Sequence, residues 1–262
     1  MPATPHRKTA SSARKRKAPG ERARGIERLV GIFAALHERR APMSVRELVG
    51  ATGAPRSSVY DLVTRLSKAD WLEMDPNGKV FFGRAVHFYG LDYADHNDLI
   101  KRSRPVMRRL SAAFNETTQL CALDADKYTV LLNEHGAGPF VVSSEIGVKV
   151  PIPWTASGRL LLQGLTHTEV LGLIPKADFV LPNGTPIDPG DFLGEIDKAR
   201  FKGYAMTEGL VDSFACCMAA PVTDERGRVV AALCFTVGRD ATKTRRGALL
   251  KALTAAAHSL SH

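Results

Sequence analysis

"GAPRSSVYDLVTRLSKADWLEMDPNGKVFFG", residues 53–83, is the stretch on which the fold turns. Gly53 and Pro55 break the chain, and Pro55 suits the first turn of a new helix. In that helix Val59, Leu62, Val63 and Leu66 recur at three- and four-residue steps and make one apolar face. The opposite face carries Ser57, Asp61, Thr64 and Lys68, with Arg56, Ser58 and Tyr60 toward the N-terminal end. Such a helix packs with one side and offers hydrogen-bonding groups with the other. "WLEMDPNGKVFFG" then reads as strand, turn, strand, because Asp75-Pro76-Asn77-Gly78 is a strong hairpin signal.

Upstream, Ser44 is followed three residues later by Glu47, a capping box for a short helix whose buried stripe is Val45, Leu48 and Val49. Gly53 stops that helix. Two short helices joined by a tight Gly-containing turn form a helix-turn-helix, whose second helix enters the major groove of DNA N-terminal end first. A generic helical hairpin with one wet face accounts for the two helices equally well. The strand pair that follows shifts the balance, since a helix-turn-helix with a hairpin behind it is a winged helix. The wing tip, Asn77 to Lys79, is placed to touch backbone phosphate. Ile26, Leu29, Val30, Phe33 and Leu36 mark an earlier helix from about residue 24 to Arg40.

Residues 1–22 hold almost no large apolar side chain, cannot offset the entropy of ordering, and read as a disordered basic tail. The charge distribution agrees with a polyanion partner near this end. Of the net +9, residues 1–84 supply all of it, with 17 Lys+Arg against 8 Asp+Glu, while residues 85–262 balance at 19 each. A basic module joined to a neutral one points to nucleic acid for the first and to something else for the second. No run approaches the roughly 18 apolar residues of a membrane helix, and the N-terminus lacks the apolar core of a secretory signal, so a cytoplasmic protein without a membrane partner is expected. Cys121, Cys216, Cys217 and Cys234 make no C-x-x-C and have no His at zinc spacing, so neither a metal nor a cofactor is expected.

Residues 84–115 read as helical, with a break near Asn97-Asp98 and Pro105 in the first turn of a helix running to about Asn115. From Thr117 the period becomes strand-like. "TTQLCALDADKYTVLLNEH" gives two strands around Asp124-Ala125-Asp126, and "FVVSSEI" a third. "TASGRLLLQGL" reads as a helix, residues 175–194 as loop, and "DFLGEIDKARFKGYA" as a helix capped by Gly203. Strands at about 214–223 and 228–238 flank "DERG", and an amphipathic helix closes the chain at about 242–260. The pattern is α+β with an antiparallel sheet in the second module. The domains expected are the tail (1–22), the winged helix (23–84), a linker helix (85–100) and an effector-type domain (101–262).

Together "MSVRELVGATGAPRSSVYDLVTRL", the wing, "VPIPWTASGRLLL", "GYAMTEG" and "CMAAPVTDERGRVVAALCFTVG" make the chain, from about residue 24 to its end, resemble the IclR family of bacterial transcriptional regulators. The resemblance implies a winged helix-turn-helix, a linker helix and a C-terminal, GAF-like domain that binds a small organic acid, often an aromatic catabolite or a keto acid. It implies an inverted-repeat double-stranded DNA operator and a homodimer or homotetramer. The DNA-binding residues expected are Ser44, Arg56, Ser57, Ser58, Tyr60, Asp61, Arg65, Asn77 and Lys79. Asp61 departs from the family, which often has a basic residue there. It suits accepting from a cytosine amino group or orienting Arg65.

The family's effector site maps onto four places. Thr155 reads as an N-cap, leaving the amides of Ala156, Ser157 and Gly158 as free donors for a carboxylate. In the last hairpin, a four-residue loop pairs Thr223 with Arg228, and counting back sets Cys217 opposite Cys234 and Ala215 opposite Thr236. Cys217, Cys234 and Thr236 then share one face. Core filling is the simpler explanation for the cysteines alone, but the Thr236 hydroxyl on an apolar strand needs a partner. Thr207-Glu208, read as a loop, supplies a polar group, and Trp154 an apolar wall. No nucleophile elbow or catalytic pair emerges, so a non-catalytic regulator is the reading. Two others stay open: an enzyme acting on a small acid with a basic tether, and a DNA-binding oligomer without an effector.

Overall fold

The computed structural model describes residues 19–137 and 145–261, which divide into two compact units with the boundary between Leu91 and Asp92. The expected tail lies mostly outside the described residues. Its last four do not, and they are helical. The first helix, α1 (Pro19–Arg39), begins ahead of the expected start near residue 24.

In the first unit α1 leads through β1 (Met43–Ser44) into α2 (Val45–Thr52) and α3 (Arg56–Lys68), then β2 (Leu72–Met74) and β3 (Lys79–Phe82). Ser44 is the N-cap of α2, and the capping box with Glu47 is complete in both directions. Gly53 ends α2 in the left-handed region at φ 61° and returns its N–H to the Val49 carbonyl, so the chain turns within three residues into α3. Ile32, Leu36, Leu48, Val59, Val63, Leu72 and Val80 close the core between the three helices and the sheet. The sheet has three strands in the order β1-β3-β2, one more than expected. β1 is too short to show a period, and its two residues pair with Val80 and Lys79.

α4 (Arg84–His96) has no buried residue. Asn97 follows as the N-cap of α5 (Asp98–Phe114), its side chain accepting from the Ile100 amide, so the break falls at the expected place. Pro105 corrects the expectation. It sits inside α5, not in its first turn, and supplies no N–H to the helix there.

The second unit is a six-stranded antiparallel sheet ordered β6-β5-β4-β9-β8-β7, made of β4 (Thr117–Asp124), β5 (Lys127–Glu134), β6 (Lys149–Pro151), β7 (Ala205–Glu208), β8 (Ala215–Thr223) and β9 (Val229–Gly238). The strand expected in "FVVSSEI" falls largely outside the described residues; Glu145 and Ile146 are not in a strand, and β6 pairs with β5 instead. Between β6 and β7 lie a 3-10 turn (Ile152–Trp154), α6 (Ala156–Leu161), α7 (His167–Leu173), a second 3-10 turn (Lys176–Phe179) and α8 (Pro189–Lys202). α6 is therefore shorter than expected, and the supposed loop at 175–194 is partly helical. α9 (Lys243–Leu260) ends the chain.

Alternation along the strands gives the sheet two faces. On one, Leu120, Cys216, Met218, Leu233, Phe235 and Val237 pack with Met107 of α5 and Leu249 and Leu253 of α9. On the other, Cys121, Val130, Ala219, Ala232 and Cys234 pack with Ala156, Leu160 and Leu161 of α6.

The β8–β9 register corrects the sequence count. The Asp224 amide bonds to the Arg228 carbonyl, leaving a three-residue turn, Glu225–Gly227, with Gly227 at φ 73°. Thr223 pairs with Val229, a bulge follows between Val222 and Thr223, and Cys217 lies opposite Thr236, with Ala219 opposite Cys234 and Ala215 opposite Gly238. The shorter turn and the bulge each move the register by one residue. Their sum is even, so Cys217, Cys234 and Thr236 still share a face.

Candidate functional site

Two sites emerge, one in each unit. The first is the outer face of α3. With Val59, Val63 and Leu66 buried, Arg56, Ser57, Tyr60, Asp61, Thr64, Arg65 and Lys68 are exposed. The Arg56 guanidinium lies 5.4 Å from the centre of the Tyr60 ring, and the two side chains are within 3.5 Å. Asp61 accepts from Arg65 Nε at 2.9 and 2.8 Å with its two carboxylate oxygens, so it orients Arg65 from one turn earlier on the helix. Ser57 and Lys68 have no protein partner among the described residues.

Ser58 and Ser44 stand apart from this group. Ser58 is half-buried and accepts from Arg28 of α1 at 3.0 Å. The Ser44 hydroxyl is engaged within the cap, donating to Glu47 Oε2 at 2.8 Å and accepting from the Glu47 amide at 3.3 Å. The Ser44 amide, which donates to Glu47 Oε2 at 2.8 Å, and then the Ser44 hydroxyl hold the Glu47 carboxyl below its usual range. At the wing, one Asp75 oxygen accepts from the amides of Asn77 and Lys79 at 2.9 and 2.8 Å, and Gly78 takes φ 73°. The side chains of Asn77 and Lys79 are exposed.

The second site is the α6 face of the sheet. The register sets Thr207, Cys217, Thr236 and Thr117 directly across four neighbouring strands, from β7 to β4. Cys217 Sγ lies 3.7 Å from Thr236 Oγ1. In the adjacent row Ala219, Cys234, Gln119 and Asn133 face one another. Cys234 Sγ is 3.8 Å from Cys121 Sγ and 3.5 Å from the Gln119 carbonyl. Burial pushes the Cys217 thiol up to about 11. The Cys234 thiol beside Cys121, together with burial, raises Cys121 well above the ordinary thiol range. Both are neutral thiols at pH 7.

α6 covers this face. Ser157 is buried and turned toward Cys121 and Cys234. Gly158 must be glycine, since a Cβ there meets the Ile152 carbonyl oxygen at 1.9 Å. Thr155 occupies the N-cap position but makes no side-chain cap bond, and its buried hydroxyl lies toward the Tyr128 hydroxyl. Trp154 is half-buried and donates from its indole to the Asp178 carbonyl at 2.9 Å, which fixes it against the second 3-10 turn.

The Thr207-Glu208 expectation divides. Both residues lie in edge strand β7, not a loop. Thr207 is on the α6 face, while Glu208 alternates to the other and is taken by Arg246 of α9 at 2.6 Å. Three residues were missed. Thr117 and Gln119 enter through pairing with β9; the run Thr117-Thr118-Gln119 at a strand start was the signal. Thr118 itself faces α5, where Ser111 donates to it at 2.9 Å.

Arg159 was also missed, though a lone basic residue between glycine and leucines is a visible anomaly. It is 4% exposed, donates to the carbonyls of Pro153 and Thr155 at 3.2 and 2.7 Å and to Glu195 at 2.7 Å, and lies over Phe192. It holds the segment entering α6 against α8.

Among the described residues no cluster of His, Cys, Asp and Glu is arranged to hold a metal, and no helix is long and apolar enough to cross a membrane.

Comparison with known proteins completes the picture. Residues 25–76 match the model of the IclR helix-turn-helix domain, and residues 91–262 that of the bacterial transcriptional regulator IclR C-terminal domain. The HTH-type transcriptional regulator KipR of Bacillus subtilis is 27% identical over 192 residues, covering 73% of this chain and 77% of KipR. The HTH-type transcriptional repressor AllR of Salmonella typhi is 24% identical over 234 residues, 85% of each chain. An IclR homolog from Microbacterium hydrocarbonoxydans, solved in complex with 4-hydroxybenzoate, superposes with a TM-score of 0.79 at 21% identity, over 90% of this chain and 97% of that one.

Proposed function

The chain belongs to the IclR family of bacterial transcriptional regulators, and from that premise we propose that it reads an inverted-repeat operator as a homodimer or homotetramer under the control of a small organic acid. It is a helix-turn-helix regulator, like the relatives it matches, and not an enzyme. α3 reads base edges with Arg56, Ser57, Tyr60 and the Asp61–Arg65 pair, while Asn77 and Lys79 of the wing contact backbone phosphate. Ser44 serves by fixing the start of α2. The protein acts in the cytoplasm. Exposed apolar residues support self-association, with Ile26 and Val30 on α1 and Phe88, Tyr89, Leu91 and Tyr93 on α4.

The effector reading rests on one observation, the row Thr207, Cys217, Thr236 and Thr117 beneath α6, buried at Thr236 and Thr117 and half-buried at Thr207 and Cys217. Three hydroxyls and a neutral thiol, flanked by Ala219, Ala232 and Cys234, suit a ligand with an apolar body and few polar groups. A carboxylate has donors at the Ala156–Gly158 amides, and Trp154 walls the approach. The 4-hydroxybenzoate held by the Microbacterium protein is an acid of that shape. The site takes no metal or cofactor.

Fluorescence anisotropy of the full chain tests this, using DNA upstream of its own gene and a scrambled duplex across a salt series. Specific DNA is expected to bind at least about a thousandfold more tightly, with a steep salt slope. Equal, weak binding to both would defeat the operator reading. Aromatic and keto acids are then titrated into the complex. Thr236→Val should weaken the response to an active acid by about tenfold and leave operator affinity unchanged. An unaltered response in that variant would remove Thr236 from the site; no response to any acid would favour a DNA-binding oligomer without an effector.

A further inference from the structure

Beside the reading helix, α1 and the α2–α3 turn enclose a cleft of about 320 Å³. Arg24 and Arg28, one helical turn apart, form one wall with Glu27, while Thr52 and Pro55 belong to the other. In this unit Arg39, Arg65 and Arg84 each hold a carboxylate, at 3.0, 2.8 and 2.7 Å. Arg24 and Arg28 hold none among the described residues, although Glu27 shares their cleft. Arg28 instead donates to Ser58 Oγ at 3.0 Å. Because that oxygen accepts from Arg28, the Ser58 hydroxyl hydrogen is free to donate elsewhere. Two guanidiniums therefore line the cleft, one of them reaching the hydroxyl of Ser58, the third residue of α3, and the two with Glu27 carry a net positive charge.

We propose that this cleft binds one backbone phosphate of duplex DNA through Arg24, Arg28 and Ser58. The proposal rests on the operator-binding reading given above. A helix that enters the major groove N-terminal end first brings the walls beside that end against the sugar–phosphate strand. A guanidinium suits a phosphate because its N–H fork matches two oxygens at once. The contact is sequence-blind. It sets how deep and at what angle α3 sits, and it ties α1, which reads no base, to the register of the complex.

The test is the salt dependence of binding by the full chain, on the DNA upstream of its gene and on the scrambled duplex. R24A/R28A should weaken binding to both duplexes alike and lower the steepness of log K against log salt by about 0.9, the loss of one neutralised phosphate. R28K keeps the charge and should keep the wild-type slope. S58A should lose affinity by a fewfold with its slope intact. Circular dichroism confirms that each variant is folded.

A wild-type salt slope near zero would defeat the operator reading and this proposal with it. A steep wild-type slope that R24A/R28A leaves unchanged would defeat the cleft alone. If S58A reproduces the whole loss at an unchanged slope in both variants, Arg28 only positions Ser58, and the proposal is overturned. Inorganic phosphate added at constant ionic strength should not displace the duplex. Displacement would assign the cleft to the free anion and also overturn it.

Discussion

Arg65 and Arg159 each meet a carboxylate at hydrogen-bond distance, yet their surroundings are opposed. Arg65 and Asp61 are 73% and 56% exposed at the side chain, one turn apart on one helix. The Arg159 side chain is 5% exposed, and its partner Glu195 comes from another helix. In water such a pair contributes little, because solvent already satisfies both charges. Inside, the guanidinium answers several acceptors at once, and removing it orphans them. The same contrast separates the two units. The DNA-reading unit keeps its polar groups outside, where a partner reaches them without disturbing the core. The second unit sets its polar row into the sheet beneath α6, so the recognition proposed for it would draw on the same residues as stability.

Three experiments press on this contrast. Each unit holds one tryptophan, Trp71 in the first and Trp154 in the second, so Trp71→Phe and Trp154→Phe backgrounds let fluorescence follow one unit at a time.

The largest effect is expected from Arg159→Met. It leaves the Pro153 and Thr155 carbonyls without their donor and should cost the second unit about 3 kcal/mol in urea unfolding. A loss below about 1 kcal/mol would make the buried arginine as dispensable as an exposed one.

Next comes pH. The folded Cys217 thiol titrates at about 11, above the ordinary value of 9.0, so the folded state holds this proton more tightly than the unfolded chain. The stability linked to it is full below pH 9.0 and is lost as pH rises toward about 11. The drop should be roughly 2–3 kcal/mol, followed through Trp154. Cys217→Ala should flatten that drop; an identical alkaline slope in the variant would show that another group causes it.

The smallest effect on stability belongs to Arg65→Ala. Its loss in the first unit should stay within about 0.5 kcal/mol, while operator affinity falls. A large stability loss would mean that the exposed pair supports the fold and would erase the contrast.

The sequence made the first unit readable because its signals are local. The Ser44–Glu47 box, the Gly53 stop, the α3 stripe and the Asp75–Gly78 turn each depend on residues within one or two turns of each other. What escaped there was β1, two residues with no pattern of their own, and the Arg28–Ser58 bond between helices. In the second unit β4, β5 and the two strands of the closing hairpin were legible, while β6 and β7 were not. Their alignment was not, because β4 meets β9 across more than a hundred residues and no periodicity reports such a partner. Thr117 and Gln119 were therefore invisible as members of the polar rows beneath α6. β7 looked like a loop because only four residues of it are extended. Pro105 was assigned to a helix start because that is where proline costs least, but α5 accepts it internally.

The β8–β9 hairpin has a consequence for how this chain tolerates length changes. Its turn and its bulge together determine which side of the sheet the residues before them occupy. Deleting one residue between Thr223 and Val229, without a compensating shift, would exchange the inward and outward sets along β8. Met218 and Ala220 would then face α6, and Cys217 and Ala219 would face α9. Deleting two would return each set to its own side, displaced by one pair along the strand. Insertions and deletions at this corner should therefore be tolerated by parity rather than by size, with odd changes turning the polar row away from α6 and even ones only displacing it along the strand.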